Sequence, residues 1–201
     1  MNQMTHLNKN MLCVIDVETT GLESKTHEII EICILPLNSF IKPEMNECPP
    51  FHMFIKPEHP ELASPQALKV NKVKLSDLML RGVDKYKAAD AFDEWFANLD
   101  CKKIVPLAQN WPFDRSFIIE WIGALTFNHI FDYHPRDTAV VANYLNDRAD
   151  QRSEKCPFPR ISLGYLCSQL DVQNPDAHTA LGDCIATAEV YRKMLQSGSL
   201  L

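Results

Sequence analysis

The stretch VIDVETTG, residues 14–21, places two acids at the end of an apolar run that begins at Met11. A short run of this kind is typical of a buried strand. Because alternate residues of a strand face the same side, Asp16 and Glu18 are expected to point the same way. Two like charges on one face cost free energy unless a cation lies between them. The stretch therefore predicts either a strand that leaves the core or a site for a hard divalent ion.

Three more strand candidates follow, each next to or containing proline. They are EIIEICILPL (28–37), FHMFI (51–55) and KIVPLAQ (103–109). The first two, together with the opening strand, predict an antiparallel meander. Strands that come first and are later mixed with helices predict an α/β sandwich with a mixed sheet.

Helical spacing of apolar residues dominates the rest of the chain. Helices are predicted within SPQALKVNKV (64–73), AADAFDEWFANL (88–99), DRSFIIEWIGAL (114–125), DTAVVANYL (137–145), ISLGYLCSQL (161–170) and TALGDCIATAEVYRKML (179–195). Leu125 and Ile185 are expected on the buried sides of their helices. The charged, proline-containing residues 146–160 are interpreted as a surface loop.

The length of 201 residues is most economically one domain. We expect a flexible N-terminal tail over 1–10, one domain over 11–196 and a C-terminal tail over 197–201. No apolar stretch approaches the ~20 residues of a membrane span, and the polar N-terminus lacks the apolar core of a signal peptide. A cytoplasmic protein without membrane contact is expected.

Cysteine usage and charge narrow the class of protein. Of seven cysteines, Cys13, Cys33 and Cys184 lie in apolar runs and are interpreted as core residues in a reducing compartment. The formal charge of −6 argues against a protein that coats long duplexes. It is compatible with an enzyme that holds a few nucleotides through metal ions, because the ions supply positive charge.

Two later stretches contain further acids. Asp114 ends QNWPFD (109–114) just before a predicted helix, where it would serve as a cap or as a metal ligand. His178 precedes the last predicted helix and Asp183 lies within it. Taken singly, His178 is better explained as a capping or surface histidine and Asp183 as a solvated helix acid.

Taken in order, the three stretches form a recognisable constellation. A strand D-x-E, then N-x-x-F-D opening a helix, then H-x-A-x-x-D on a late helix resembles the DEDDh group of 3′→5′ exonucleases, which includes RNase T. The resemblance runs from about residue 11 to residue 195. It implies the ribonuclease H-like fold, an α/β fold with a central mixed five-stranded sheet flanked by helices.

The resemblance also implies catalytic roles. Asp16, Glu18, Asp114 and Asp183 match the family's metal-binding acids, which hold two divalent cations, Mg²⁺ or Mn²⁺. His178 matches the histidine that acts as general base. The implied reaction is hydrolysis at the 3′ end with release of nucleoside monophosphates.

Substrate contacts are implied at five positions. Thr19, Thr20 and Leu22 match the segment that holds the terminal nucleotide, and Asn110 matches the asparagine four residues before the third acid. Trp111 departs from the family, which often has a small residue there. Its ring would either stack on a base or pack in the core.

Several functions share this constellation. The favoured prediction is an independent nuclease acting on single-stranded DNA or RNA 3′ ends. Alternatives are an editing exonuclease with a polymerase partner, an RNA exonuclease similar to oligoribonuclease, and an inactive nucleic-acid-binding module. A homodimer is a further prediction, since relatives are often dimers.

Overall fold

The computed structural model describes residues 4–197, which contain a five-stranded sheet. Its strands are β1 (Met11–Thr19), β2 (Ile29–Pro36), β3 (Phe51–Phe54), β4 (Ile104–Ala108) and β5 (Arg136–Asp137). Their order across the sheet is β3-β2-β1-β4-β5. The first three pair antiparallel, whereas β4 and β5 run parallel to β1. The predicted meander and the predicted five-stranded mixed sheet are confirmed.

Helices connect the parallel strands and cover the sheet. The eight α-helices of the described residues are α1 (Pro65–Asn71), α2 (Leu75–Arg81), α3 (Lys85–Ala97), α4 (Trp111–Ile122), α5 (Ala124–Ile130), α6 (Thr138–Gln151), α7 (Leu163–Leu170) and α8 (Ala180–Ser197). Parallel neighbours need such crossovers, because a short turn only reverses the chain. None of the helices within residues 4–197 has the length and the apolar composition that spanning a bilayer requires.

The two faces of β1 pack against different helices, and this decides where its acids point. Cys13 belongs to the apolar cluster that contains Phe117 of α4. Val14 belongs to the cluster on the opposite face, which contains Cys184 of α8. Asp16 follows Val14 by two residues and therefore lies on the α8 side of the strand.

Two residues predicted on buried helix faces are exposed. The helix expected over residues 114–125 is interrupted at Gly123, whose φ of 81° ends α4 and starts α5 in a new direction. Leu125 is consequently 89% exposed. Ile185 is 40% exposed, because its neighbour Cys184 takes the fully buried position against the sheet.

The segment interpreted as a surface loop is partly ordered into other structure. Of residues 146–160, the first part continues α6 as far as Gln151. Phe158 is only 5% exposed and packs with α7 and α8. Asn146 holds it there, since its side chain bonds to both the N–H and the carbonyl of Phe158. One aromatic residue thus anchors the connection.

Part of the N-terminal segment packs against the sheet. Leu7 lies in a short 3-10 helix, Thr5–Leu7, and is 5% exposed within the cluster on the α8 side of the sheet. Residues 1–3 and 198–201 lie outside the described residues, and with them most of the predicted C-terminal tail.

Five of the seven cysteines are buried, as small core residues are. All seven are free. Cys13, Cys33 and Cys184 have no exposed surface, as predicted from their apolar surroundings in the sequence. Burial raises the pKa of the Cys13 thiol well above its usual range, so this side chain is neutral and inert.

Candidate active site

Three acids converge at the carboxyl end of β1. Asp16 and Glu18 of the strand meet Asp183 of α8, and one carboxylate oxygen from each lies within 4.8 Å of the others. Asp183 reaches them because it lies in the first turn of α8, which packs across β1 and β2. The prediction that the first two face one side and that Asp183 points inward agrees with this arrangement.

The loop before α8 holds the Asp183 carboxylate in place. The side-chain amide of Asn174 donates to Oδ1 at 2.7 Å, and the backbone N–H of His178 donates to Oδ2 at 3.3 Å. His178 adopts a left-handed backbone conformation with φ of 67°, and its side chain is exposed. The histidine and the acid are therefore linked through the backbone, which leaves the imidazole free to move.

Asp114 is buried beside this cluster and is attached to the strand itself. Its Oδ1 accepts a 3.1 Å hydrogen bond from the backbone N–H of Val17, between the two acids of β1. The capping interpretation of Asp114 is wrong, because α4 begins at Trp111 with Asn110 as its N-cap. The carboxylate lies inside the first turn and is aimed at β1.

Burial and mutual repulsion raise the pKa values of these carboxyl groups. Burial, and after it the three neighbouring carboxylates, raises the pKa of Asp16 well above its usual range. Burial, followed by Asp183 and Glu31, raises the pKa of Glu18 to about 8. Burial also raises the pKa of Asp114, although the backbone hydrogen bond it accepts opposes this. So much confined negative charge favours a bound cation.

The segment after β1 divides into an anchored part and an exposed part. Thr19 and Thr20 are 5% and 1% exposed. The Thr20 hydroxyl accepts from the N–H of Glu28, and Asn71 of α1 donates to the Thr19 carbonyl. Leu22, by contrast, is 77% exposed. Of the predicted nucleotide-holding residues, Leu22 is therefore the one whose side chain can touch a base.

Trp111 is a core residue, so its proposed role as a stacking surface for a base is wrong. The side chain is 5% exposed and its ring lies 6.2 Å from that of Phe127 and 6.3 Å from that of Phe131. The neighbouring Asn110 is exposed, with φ of 68°, and its side chain makes no cap. Asn110 is therefore accessible to a ligand, whereas Trp111 is not.

Replacing Trp111 by Ala is expected to lower the free energy of unfolding by about 3–5 kcal/mol, the usual cost of a large aromatic cavity. Urea denaturation measures this. Replacing Trp111 by Phe should retain most of the stability, because the ring contacts persist. Unchanged stability of the alanine variant together with weaker oligonucleotide binding would show instead that the ring serves the substrate.

One important residue escaped the sequence-based reasoning. Asp137, 8% exposed, accepts hydrogen bonds from the N–H groups of Asn110 and Trp111 and also from Ala139. It therefore caps α6 and fixes the start of α4, the helix that carries Asp114. An Asp as the first residue of the predicted helix over 137–145 was the available signal for the first role. The second role, fixing the start of α4, depends on hydrogen bonds between residues far apart in the sequence, which no local pattern reveals.

The arrangement is suited to a hard cation. All four acids offer carboxylate oxygens, which are the ligands preferred by Mg²⁺ and Mn²⁺. No cysteine joins the group of possible ligands found among residues 4–197. With an exposed histidine and an exposed leucine at its rim, the site is suited to a phosphate ester whose charge the cation would offset.

Comparisons with known proteins agree with this chemistry. A family model described as Exonuclease, of the RNase T type, matches residues 13–191. Ribonuclease T of Photobacterium profundum is 26% identical over 193 residues, covering 89% of this chain and 78% of that protein. Ribonuclease T of Haemophilus influenzae (strain PittEE) is 25% identical over 195 residues, covering 90% and 78%.

Solved structures share the fold. Exonuclease I of E. coli, in complex with a dT13 oligonucleotide, aligns with a TM-score of 0.71 at 17% identity and over 95% of this chain. The alignment covers 43% of exonuclease I, so this chain spans less than half of that protein. Cell-death related nuclease 4 aligns with a TM-score of 0.66 at 15% identity, over 94% of this chain and 64% of that one.

The fold and the family agree with one another. The mixed sheet with flanking helices is the ribonuclease H-like fold, as the resemblance implied. The family model spans most of the chain and includes all four acids and His178. The chain therefore belongs to the exonuclease family and is a 3′→5′ exonuclease.

Proposed function

We propose that the chain hydrolyses the terminal phosphodiester of single-stranded nucleic acid and releases nucleoside monophosphates from the 3′ end. The observation that carries this is the convergence of Asp16, Glu18 and Asp183 within 4.8 Å, with Asp114 bonded to the same strand. The name ribonuclease T and the dT13 bound to exonuclease I support single-stranded RNA or DNA as substrate. The net charge of −6 supports short or frayed strands over long duplexes.

The residues present are well suited to divalent cations. Asp16, Glu18 and Asp183 would hold one, and Asp114, which bonds to β1 between the first two acids, would help hold a second. The raised pKa values of Asp16 and Glu18 support this, because a cation relieves the repulsion that raises them. Two bound Mg²⁺ or Mn²⁺ ions would supply an acidified water and neutralise charge on the leaving 3′-oxygen.

The chain's own residues orient the metal-binding carboxylates and deprotonate the attacking water. Hydrogen bonds from Asn174 and from the N–H of His178 fix both carboxylate oxygens of Asp183. A hydrogen bond from the N–H of Val17 fixes the carboxylate of Asp114. The imidazole of His178 accepts the proton of the attacking water at a ring nitrogen, which its exposed position on a loop allows. Leu22 would contact the terminal base, and Asn110 lies at the start of α4 where it can donate to substrate.

Replacing His178 by Ala is expected to lower kcat by about 10²–10⁴, the usual contribution of a general base. Affinity for Mg²⁺, measured by isothermal titration calorimetry, should stay the same, because the histidine bonds Asp183 through its backbone. Alanine at His129, an exposed histidine of α5, is the matched control and should change neither quantity. Loss of Mg²⁺ binding on replacing His178 would contradict the assigned role.

A gel assay tests the proposed function. Single strands of DNA and of RNA, labelled at the 5′ end, are incubated with the protein and Mg²⁺ or Mn²⁺. We expect a ladder that shortens from the 3′ end and that disappears with EDTA or on replacing Asp16 by Ala. The two strands decide the preferred sugar, which is read by contacts to the 2′-hydroxyl. No shortening of either strand at any metal concentration would reject the proposal.

Several predictions from the sequence concern partners and location. A homodimer, a polymerase partner and a cytoplasmic location stay predictions, as does the division into tails and one domain. The seven free cysteines support a reducing compartment. Analytical ultracentrifugation of the purified chain measures its oligomeric state. The gel assay without added polymerase distinguishes an independent nuclease from an editing subunit.

A further inference from the structure

A groove of about 690 Å³ opens beside the acid cluster. One wall is the junction of α1 and α2, and the other is the loop before α8, including Ala177 and Thr179. Two lining residues connect it to the site. Glu31 lies opposite Glu18 in the pairing of β1 with β2. Asn71 donates a hydrogen bond to the carbonyl of Thr19, the residue that follows Glu18. The groove is thus continuous with the proposed reaction centre.

The α1–α2 wall is cationic in a chain whose net charge is negative. Its sequence, KVNKVKLSDLMLR (69–81), contains four basic residues and a single acid, Asp77. Lys72, Lys74 and Arg81 line the groove and are exposed. Within residues 4–197, neither Lys74 nor Arg81 takes part in an ion pair. Two free cations therefore face the groove.

Three acids also line the groove, Glu31, Asp77 and Asp176, the same number as its cations. Glu31 is 2% exposed, and its carboxylate is 2.8 Å from the Nε2 of His52. Asp77 precedes Arg81 by one turn of α2, a spacing at which opposite charges attract. Asp176 lies on the opposite wall, close to the reaction centre. On the α1–α2 wall itself, the three lining cations outnumber the one lining acid, Asp77.

An aromatic ring completes the groove. Phe54, on the edge strand β3, is 45% exposed and lines it. Grooves that combine exposed cations with an aromatic face bind single strands, because the cations attract phosphates while bases stack on the ring. Lys72 also reaches across to the carbonyl of Ala177 at 3.4 Å, so the groove contacts the loop that carries His178.

We propose that this groove binds the nucleotides that precede the scissile bond, with phosphates at Lys74 and Arg81 and a base against Phe54. The inference rests on the proposed function and deepens it, since it names the part of the substrate that lies beyond the terminal nucleotide. It assigns to the groove the gain in affinity that a longer strand has over a dinucleotide.

The test compares two double variants that remove the same charge. Lys74→Gln with Arg81→Gln alters the groove, and Lys9→Gln with Lys102→Gln is the control. Lys9 and Lys102 are exposed and adjoin the amino-terminal ends of β1 and β4, opposite the acids. Fluorescence anisotropy with labelled thymidylate and uridylate strands of about eight nucleotides, in EDTA, measures binding without hydrolysis. Steady-state kinetics with the same strands and with dinucleotides measures the dependence on length.

We expect the groove variant to bind the longer strand about tenfold more weakly and to lose about 1.4 from the slope of log K against log salt, for two phosphate contacts. Its KM should rise more for the longer strand than for the dinucleotide, and the control should match the wild type. Phe54→Ala should weaken binding by about tenfold with an unchanged salt slope. Equal behaviour of the two double variants in anisotropy would overturn the groove assignment. Absence of hydrolysis would reject the proposed function alone, because anisotropy does not depend on turnover.

Discussion

Replacing Asp16 by Asn is expected to lower the exonuclease rate by at least about a thousandfold and to abolish the stabilisation by Mg²⁺. Of the four acids, Asp16 is the one whose pKa is raised by all three others, so it lies at their centre. Losing the cations removes several kcal/mol of transition-state stabilisation, which corresponds to this loss of rate. A cation at about 100 times its Kd stabilises the wild type by about 2.7 kcal/mol, and the variant should show none of this.

The same substitution should stabilise the protein when metal is absent. The variant has one acid fewer among the confined carboxyl groups, so its Tm in EDTA should rise, by roughly 2–4 °C per kcal/mol gained. Calorimetry with and without Mg²⁺ measures both effects. Asp93→Asn, at an exposed position of α3, is the matched control. A variant that keeps its Mg²⁺ response and its activity would remove Asp16 from the metal site.

In the metal-free protein, the free energy of unfolding is expected to fall as pH rises from about 4.5 to about 8. The pKa of Glu18 increases from its usual 4.5 to about 8 on folding. Between these values the folded state keeps a proton that the unfolded state has released, so each pH unit favours unfolding by about 1.4 kcal/mol from this group. The stabilising contribution is complete below about pH 4.5 and lost above about pH 8. Asp16 and Asp114, whose pKa values are also raised, act in the same direction.

Bound Mg²⁺ should reverse this trend, because the cation competes with protons for the carboxylates and binds better as pH rises. Urea unfolding at several pH values between about 5 and 8, in EDTA and in Mg²⁺, measures both slopes. Glu18→Gln should reduce the slope in EDTA by about 1.4 kcal/mol per pH unit, whereas Glu94→Gln, at an exposed position, should leave it unchanged. An identical slope in the Glu18 variant would show that this carboxyl group is not the source.

Local periodicity was enough to predict the direction of the first two acids. Asp16 and Glu18 share a face because the strand period of two holds over any few residues, whatever packs on them. The four strands expected from apolar runs are all present for the same reason, as are most of the helices. β5, with only Arg136–Asp137, is too short to leave a pattern. A helix face was wrong where Gly123 interrupts the chain, because spacing alone does not show where a helix changes direction.

Contacts between distant residues decided the rest. The carboxylate of Asp114 bonds to Val17, 97 residues away, so its role could not be derived from the helix that carries it. Trp111 is core rather than surface because α5 brings Phe127 against it. The sequence by itself determined the strand order along the chain, the candidate acids and the family resemblance, since these depend on residue type and short spacing. Only the tertiary structure decided which acids meet, which side chains remain free and where the cationic groove lies, because these depend on how separate elements pack.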